Sequence, residues 1–170
     1  MYSAELYMGI SKRLKYIAQL VSPGNVVADI GTDHGFLPVF LLRQGVVTRS
    51  IAVDSSAGSI EKVKEISKRY GLEECLDIRQ CDGLSGITPG EVHSIVIAGM
   101  GGILMTRILR DGINVVLDAK ELILSPHRDA DLVRQFIKEN GFEITVDTVI
   151  EDKGKNYTVI KGIRKKLYTL

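Results

Sequence analysis

Residues 26–38 restrict this chain more than any other stretch. Val26-Val27-Ala28 is an apolar run that stops on a carboxylate, Asp29; Gly31 turns the chain, and an apolar helix opens soon after. This reads as a buried strand that delivers an acid and a glycine to the carboxyl edge of a sheet, where open α/β folds hold their ligands. Ile51-Ala52-Val53 repeats the pattern and stops on Asp54. An acid after the first strand and another after the second suit a ligand with a cationic end and a ribose, and S-adenosylmethionine carries both.

Strand-like and helix-like segments alternate nearly to the end, which implies a mostly parallel sheet with helices on both faces. Ile10, Leu14, Ile17, Ala18 and Val21 recur at helical spacing, and Ser22-Pro23-Gly24-Asn25 ends that helix. Strands are expected at 26–30, 50–53, 76–80, 94–98 and 121–124, with helices at about 34–43, 59–70, 103–109 and 130–140. Gly45, Gly71 and Gly141 stand where helices stop. The last two strands, about 143–151 and 156–164, are joined by Asp152-Lys153-Gly154-Lys155, a hairpin that makes the final strand antiparallel to its neighbour. Seven strands closed by such a hairpin form the Rossmann-like α/β layout of class I S-adenosylmethionine-dependent methyltransferases. Segment order speaks for the fold and carries no function alone.

A chain of 170 residues reads as one domain, 1–170, on the usual scale of roughly 150 residues per domain. It can bury a core without disulfides or metals. Its 22 basic and 21 acidic residues create no global field toward nucleic acid, although a local patch can still steer a partner. Cys75 and Cys81 fit no redox or metal spacing and read as semi-buried thiols in a reducing cytosol. No set of His, Cys and acids has ligand spacing, so no metal is expected. Polar residues in the first few positions leave no apolar leader, and no apolar run reaches the roughly 20 residues of a membrane span. The expected location is the cytoplasm.

The turns after the strands hold the candidate site residues. Asp29 can accept hydrogen bonds from an ammonium group, Gly31 lets backbone approach a ligand, and the turn through Thr32 leads to a helix N-terminus that offers N–H groups to a carboxylate. The spacing is not the GxGxxG dinucleotide fingerprint, since only Gly35 follows. Asp33 is either a helix cap or a group facing the ligand. Asp54 suits the vicinal hydroxyls of a ribose, against the plainer reading of a loop acid capping the next helix. Asp82 can accept from an adenine amino group with Gly83 keeping the rim open, or it is a turn acid. Ala98-Gly99-Met100-Gly101-Gly102 leaves room for a flat acceptor, or serves a sharp turn and close helix packing. His34 adjoins the cleft, where a lone histidine is more often a cap; His93 and His127 carry less. No G-x-S-x-G elbow exists for a serine nucleophile.

At these residues the chain resembles a known family. Leu14 with Ile17-Ala18, the run from Ala28-Asp29-Ile30-Gly31-Thr32-Asp33-His34 through Gly35-Phe36-Leu37-Pro38, then Asp82-Gly83-Leu84, Ile97 through Gly102, and Lys155-Asn156-Tyr157 resemble the bacterial tRNA (adenine-22-N1)-methyltransferases. The resemblance spans nearly the whole chain. It implies methyl transfer from S-adenosylmethionine to N1 of an adenine in tRNA. It also implies that Asp29, Gly31 and Asp33 lie around the methionine part, Asp54 at the ribose, Asp82 and Gly83 at the cofactor adenine, and Gly99 to Gly102 beside the acceptor base. Two departures stand out. Phe36 replaces an aromatic hydroxyl usual in the family, and the family's helical coiled-coil extension does not follow Lys165-Lys166-Leu167-Tyr168.

N1 of adenine has a lone pair and needs no prior deprotonation, so alignment is the main task. Methylation makes the ring cationic, and Asp33 is the carboxylate expected to stabilise it, with His34 taking a proton afterwards. The base must be exposed or extruded. Lys12, Arg13, Lys15, Arg107, Arg110 and Arg128 are candidate phosphate contacts. Competing readings are an inactive RNA-binding or scaffold protein with the same fold, and a small-molecule methyltransferase. The latter would be expected to carry a lid insertion that this chain lacks.

Overall fold

The computed structural model describes residues 9–166. The expectation about a leader, and Leu167 and Tyr168, fall outside them. Seven strands run β1 (Val27–Ile30), β2 (Ser50–Asp54), β3 (Leu76–Gln80), β4 (Ser94–Met100), β5 (Glu121–Pro126), β6 (Phe142–Asp152) and β7 (Lys155–Arg164). The helices are α1 (Lys12–Leu20), α2 (Phe36–Arg43), α3 (Ala57–Tyr70), α4 (Gly102–Asp111), α5 (Ile113–Asp118) and α6 (Ala130–Glu139). The sheet order is β3-β2-β1-β4-β5-β7-β6. The first five strands pair in parallel, and β7 slots between β5 and β6, antiparallel to both. The expected seven-stranded α/β sheet with its closing hairpin is therefore what the chain forms.

Central parallel strands are covered on both faces, which is why β1 is buried along its whole length and reads as a continuous apolar run. On one face Val27, Val96 and Ile123 pack with Ile17 and Ala18 of α1, with Val21 just after it, and with Leu37 and Leu41 of α2. On the other, Ala28, Ile30, Ile95 and Ile97 pack with Met105 and Leu109 of α4, Val116 of α5 and Phe136 of α6. The two-residue period puts Asp29 on the face of α1 and α2, together with Val27. The closing turn is Lys153-Gly154, both at positive φ (51° and 74°), as a tight two-residue hairpin requires.

Some boundaries differ from the sequence reading. β4 runs through Gly99 to Met100, past an irregularity between Ala98 and Met100, because β5 also extends to Pro126 and offers it a partner. Helix α2 opens at Phe36 and not at His34, since Asp33 and Gly35 both take left-handed backbone (φ 56° and 72°) that a helix cannot include. The sequence reading does not separate the six-residue α5 from the helix before it; Gly112 stands between the two, and no side chain caps α5.

The amino-terminal end of the sheet is held by Glu121, 2% exposed. Its carboxylate accepts from Ser22 N (2.9 Å), Ser22 Oγ (2.6 Å) and Ser94 Oγ (2.7 Å), and Lys161 Nζ lies 3.0 Å away. Lys161 also donates to Leu20 O. One side chain thus ties together the end of α1, β4, β5 and β7. Burial alone would raise the Glu121 pKa, but the donors of Ser22, Ser94 and Lys161 outweigh it and hold it below the ordinary value. Its stabilising contribution is therefore complete above the ordinary glutamate pKa and is lost as pH falls through the depressed folded value. Glu121→Ala leaves a buried ammonium and two hydroxyls without their acceptor. Urea unfolding at neutral pH should show a loss of about 3–5 kcal/mol, and a loss under ~1 kcal/mol would remove the network from this role.

Candidate active site

Beyond the carboxyl ends of β1, β2 and β4 the chain leaves two adjoining cavities that share Gly31. The first, about 390 Å³, takes its polar wall from Arg13, Asp29, Thr32, Asp33, His34 and His127, with Ala98 and Gly99 on its floor. The second, about 210 Å³, lies between Asp54, Ser55, Asp82, Gly83, Met100 and Leu104. Fourteen residues were singled out from sequence as cofactor-binding, catalytic or acceptor-binding. All but Gly101 and Gly102 line one or the other cavity.

The turn between the cavities is built by hydrogen bonds to β2. Gly31 N and Thr32 N both donate to Val53 O (2.8 and 3.0 Å), which hooks the chain over the neighbouring strand. Gly31 sits at φ 72°, and a Cβ there would run into Cε of Met100. That close approach explains why only glycine suits the position. Asp54 anchors the same loop from the other side: Oδ2 accepts from Asp33 N (3.1 Å) and Oδ1 from Ser56 N (2.9 Å). Each oxygen keeps a lone pair for a ligand hydroxyl. Ser56, not Asp54, caps α3 with its side chain.

Asp29 is 5% exposed, and among the described residues no cation pairs with it. Burial pushes its pKa up from 3.8 to about 6, with the Thr32 side chain drawing it back and the Asp54 charge adding to the rise. Two buried polar atoms without a hydrogen-bond partner lie at this edge, Arg13 Nη1 and Ser125 Oγ, the latter in register with Ala98. Such orphans are rare in folded interiors and ask for an explanation. An uncompensated acid and an uncompensated guanidinium N–H in one cavity fit the amino-acid end of S-adenosylmethionine, which carries both an ammonium and a carboxylate.

Asp33 does not cap α2. Its carboxylate is mostly exposed, and Oδ2 lies 2.8 Å from His34 Nδ1. On the far side of the ring, Lys62 Nζ is 3.3 Å from Nε2. An ammonium can only donate, so Nε2 accepts and Nδ1 carries the proton toward Asp33. Gly101 and Gly102 line neither cavity, and Gly102 packs closely on backbone. Gly102 N donates to Arg128 O (2.9 Å), and a Cβ on Gly102 would collide with the Asp129 backbone. Met100, the last residue of β4, lines the second cavity as Ala98 and Gly99 line the first.

His127 was weighted too lightly from sequence. Its backbone N donates to Met100 O (2.9 Å), and its ring lies 5.9 Å from that of Tyr157, over which Arg13 places its guanidinium at 4.3 Å. A signal for it lies in its position: His127 comes directly after a strand, at the same edge as Asp29 and Asp54. His93 is structural and distant in role, its Nδ1 accepting from Val26 N (2.9 Å) at the opposite end of the strands. Among the described residues no cluster of three or more His, Cys, Asp or Glu could hold a metal ion, and no helix is long and apolar enough to cross a membrane. Cys75 and Cys81 are free and half-buried.

Comparison with known proteins agrees with this geometry. A methyltransferase domain family matches residues 10–160. The tRNA (adenine(22)-N(1))-methyltransferase of Bacillus subtilis strain 168 is 34% identical over 151 residues, covering 89% of this chain; the chain spans 63% of that relative's length. The crystal structure of the B. subtilis M1A22 tRNA methyltransferase TrmK superposes with a TM-score of 0.87 at 32% identity, over 92% of this chain and 67% of that one. A Streptococcus pneumoniae protein solved in complex with S-adenosyl-L-methionine matches with a TM-score of 0.87 at 33% identity, over 94% and 76%.

The unpaired Asp29 has a measurable consequence. Its folded pKa is raised, so its contribution to stability is full below about 3.8 and is lost as pH rises through about 6. Asp29→Asn should stabilise the ligand-free protein at pH 8 by up to ~3 kcal/mol, at about 1.4 kcal/mol per pKa unit, and the gain should vanish near pH 4. Denaturant unfolding at the two pH values checks it, and a pH-independent difference would refute the raised pKa.

Proposed function

This chain belongs to the methyltransferase domain family, in the branch of the bacterial tRNA (adenine-22-N1)-methyltransferases, and from that premise we propose that it methylates N1 of adenine 22 in tRNA with S-adenosylmethionine as donor. The observation that carries the reading is the pair of adjoining cavities with an unpaired buried Asp29 and an orphaned Arg13 Nη1 in one, and Asp54 and Asp82 in the other. In this reading 1–170 acts as the catalytic domain, in the cytoplasm, with tRNA as partner.

S-adenosylmethionine, when bound, supplies an electrophilic sulfonium methyl group. Asp29 accepts from its ammonium and Arg13 donates to its carboxylate, which revises the expectation that Arg13 contacts a phosphate. Asp54 takes the ribose hydroxyls with the lone pairs left by its two backbone donors, and Asp82 with Gly83 borders the adenine. Gly31 lets the ligand cross from one cavity to the other. The acceptor adenine enters over Gly99, between Asp33 and His127. Its N1 lone pair attacks without a base, so these residues chiefly orient the ring and exclude water. As the ring becomes cationic, the exposed Asp33 carboxylate lowers the energy of the developing charge. His34, with Nδ1 given to Asp33 and Nε2 to Lys62, holds Asp33 in place and has no free lone pair for the proton.

Labelled cofactor and unmodified tRNA test the proposal directly. The product should be 1-methyladenosine, and replacing adenine 22 by guanine should abolish incorporation; cofactor binding with no transfer to any tRNA would refute it. Asp33→Asn should cut kcat by about 100-fold while the calorimetric Kd for S-adenosylmethionine stays within about twofold. An equal loss of cofactor affinity would move Asp33 from transition-state stabilisation to binding.

A further inference from the structure

On the outer side of His34 lies a separate cleft of about 170 Å³, lined by His34, Phe36, Lys62, Glu65, Ile66 and Arg69. His34 and Phe36 also line the larger cavity, so the two spaces share one wall. That wall is a pair of stacked rings, 5.3 Å between centroids and 3° from parallel. The His34 ring is fixed at both edges, by Asp33 and by Lys62. Lys62, Glu65, Ile66 and Arg69 recur three and four residues apart, so α3 turns one face to the rings. Among the described residues neither Glu65 nor Arg69 has an ion-pair partner.

We infer that this cleft seats an unpaired nucleotide adjoining the methylated adenine, its base stacked on the His34–Phe36 pair and its phosphate held by Arg69. The inference rests on the tRNA reading above and extends it to a second base site. Locked aromatic planes suit a nucleobase, since every base offers a π-face and the wall loses no freedom on binding. An apolar side chain, Ile66, lies at the same cleft, and Glu65 offers an acceptor to an exocyclic amino group. A bare anion would gain nothing from either. The shared wall explains why the occupant is a neighbour of the target: a nucleotide in the larger cavity and one in the cleft stand on opposite sides of the same residues.

The test uses the full chain and tRNA carrying 2-aminopurine on the 5′ or the 3′ side of adenine 22. Binding should quench the fluorescence of one of the two. Arg69→Ala should raise the KM for tRNA about 5-fold and reduce the salt slope of tRNA binding by about one. Arg69→Lys should recover most of the loss, and Arg69→Glu should exceed it. The Kd for S-adenosylmethionine and kcat at saturating tRNA should stay unchanged. Unquenched fluorescence at both positions, a wild-type KM in Arg69→Glu, or a fall in saturating kcat would each overturn the second site. Failure of the unaltered protein to methylate tRNA would instead sink the reading on which it rests.

Discussion

Two of the buried carboxylates, on the inner strands β1 and β5, sit at opposite ends of the sheet, and their different treatment governs the molecule. Glu121 lies at the amino-terminal end with donors from Ser22 and Ser94 and the ammonium of Lys161. Asp29 lies near the carboxyl end of β1, and among the described residues no cation pairs with it. Removing a charge from water costs several kcal/mol unless partners replace the solvent. At one end the chain supplies those partners from three segments far apart in sequence. At the other it leaves the cost standing, which is tolerable only because the rest of the sheet is closely packed on both faces.

The loops at the carboxyl edge follow from that arrangement. Neighbouring strands in a parallel sheet end side by side, so Asp29, Asp54 and Met100, dispersed along the chain, come to the walls of two adjoining cavities. Hydrogen bonds from Gly31 and Thr32 to Val53 O and from Asp33 N to Asp54 then turn separate loops into one rigid rim. The closing hairpin reaches the same rim from outside. Asp152, at its tip, accepts from Arg13 N (3.0 Å), and Tyr157 carries the Arg13 guanidinium on its ring. The first helix and the last two strands thus meet at one cavity wall, with 139 residues between Arg13 and Asp152.

Much of this was legible in the chain. Strand ends carrying acids, the glycine at 31 and the Lys153-Gly154 turn announce themselves because each needs a particular residue type at a particular place in the backbone. Other parts left no local mark. The extent of β4 depends on a partner strand more than twenty residues later, and α5 is six residues with no side-chain cap. Gly101 and Gly102 look in sequence like room for a ligand, yet the backbone of Arg128 and Asp129 fills the space beside Gly102. His127 looked ordinary because nothing within the chain's local pattern links it to Tyr157 or Gly99.

The sequence by itself determined the alternation of strands and helices, the hairpin at the end and the acids at the strand ends, since hydrophobic period and turn chemistry act over a few residues. Tertiary structure alone decided how these groups are partnered: that among the described residues Asp29 has no cation while Glu121 is satisfied, that Arg13, on the cavity wall, keeps a buried nitrogen without an acceptor, and that His34 spends both ring nitrogens on Asp33 and Lys62. Burial and hydrogen bonding of this kind are sums over neighbours brought together from distant parts of the chain, and no local stretch of residues contains them.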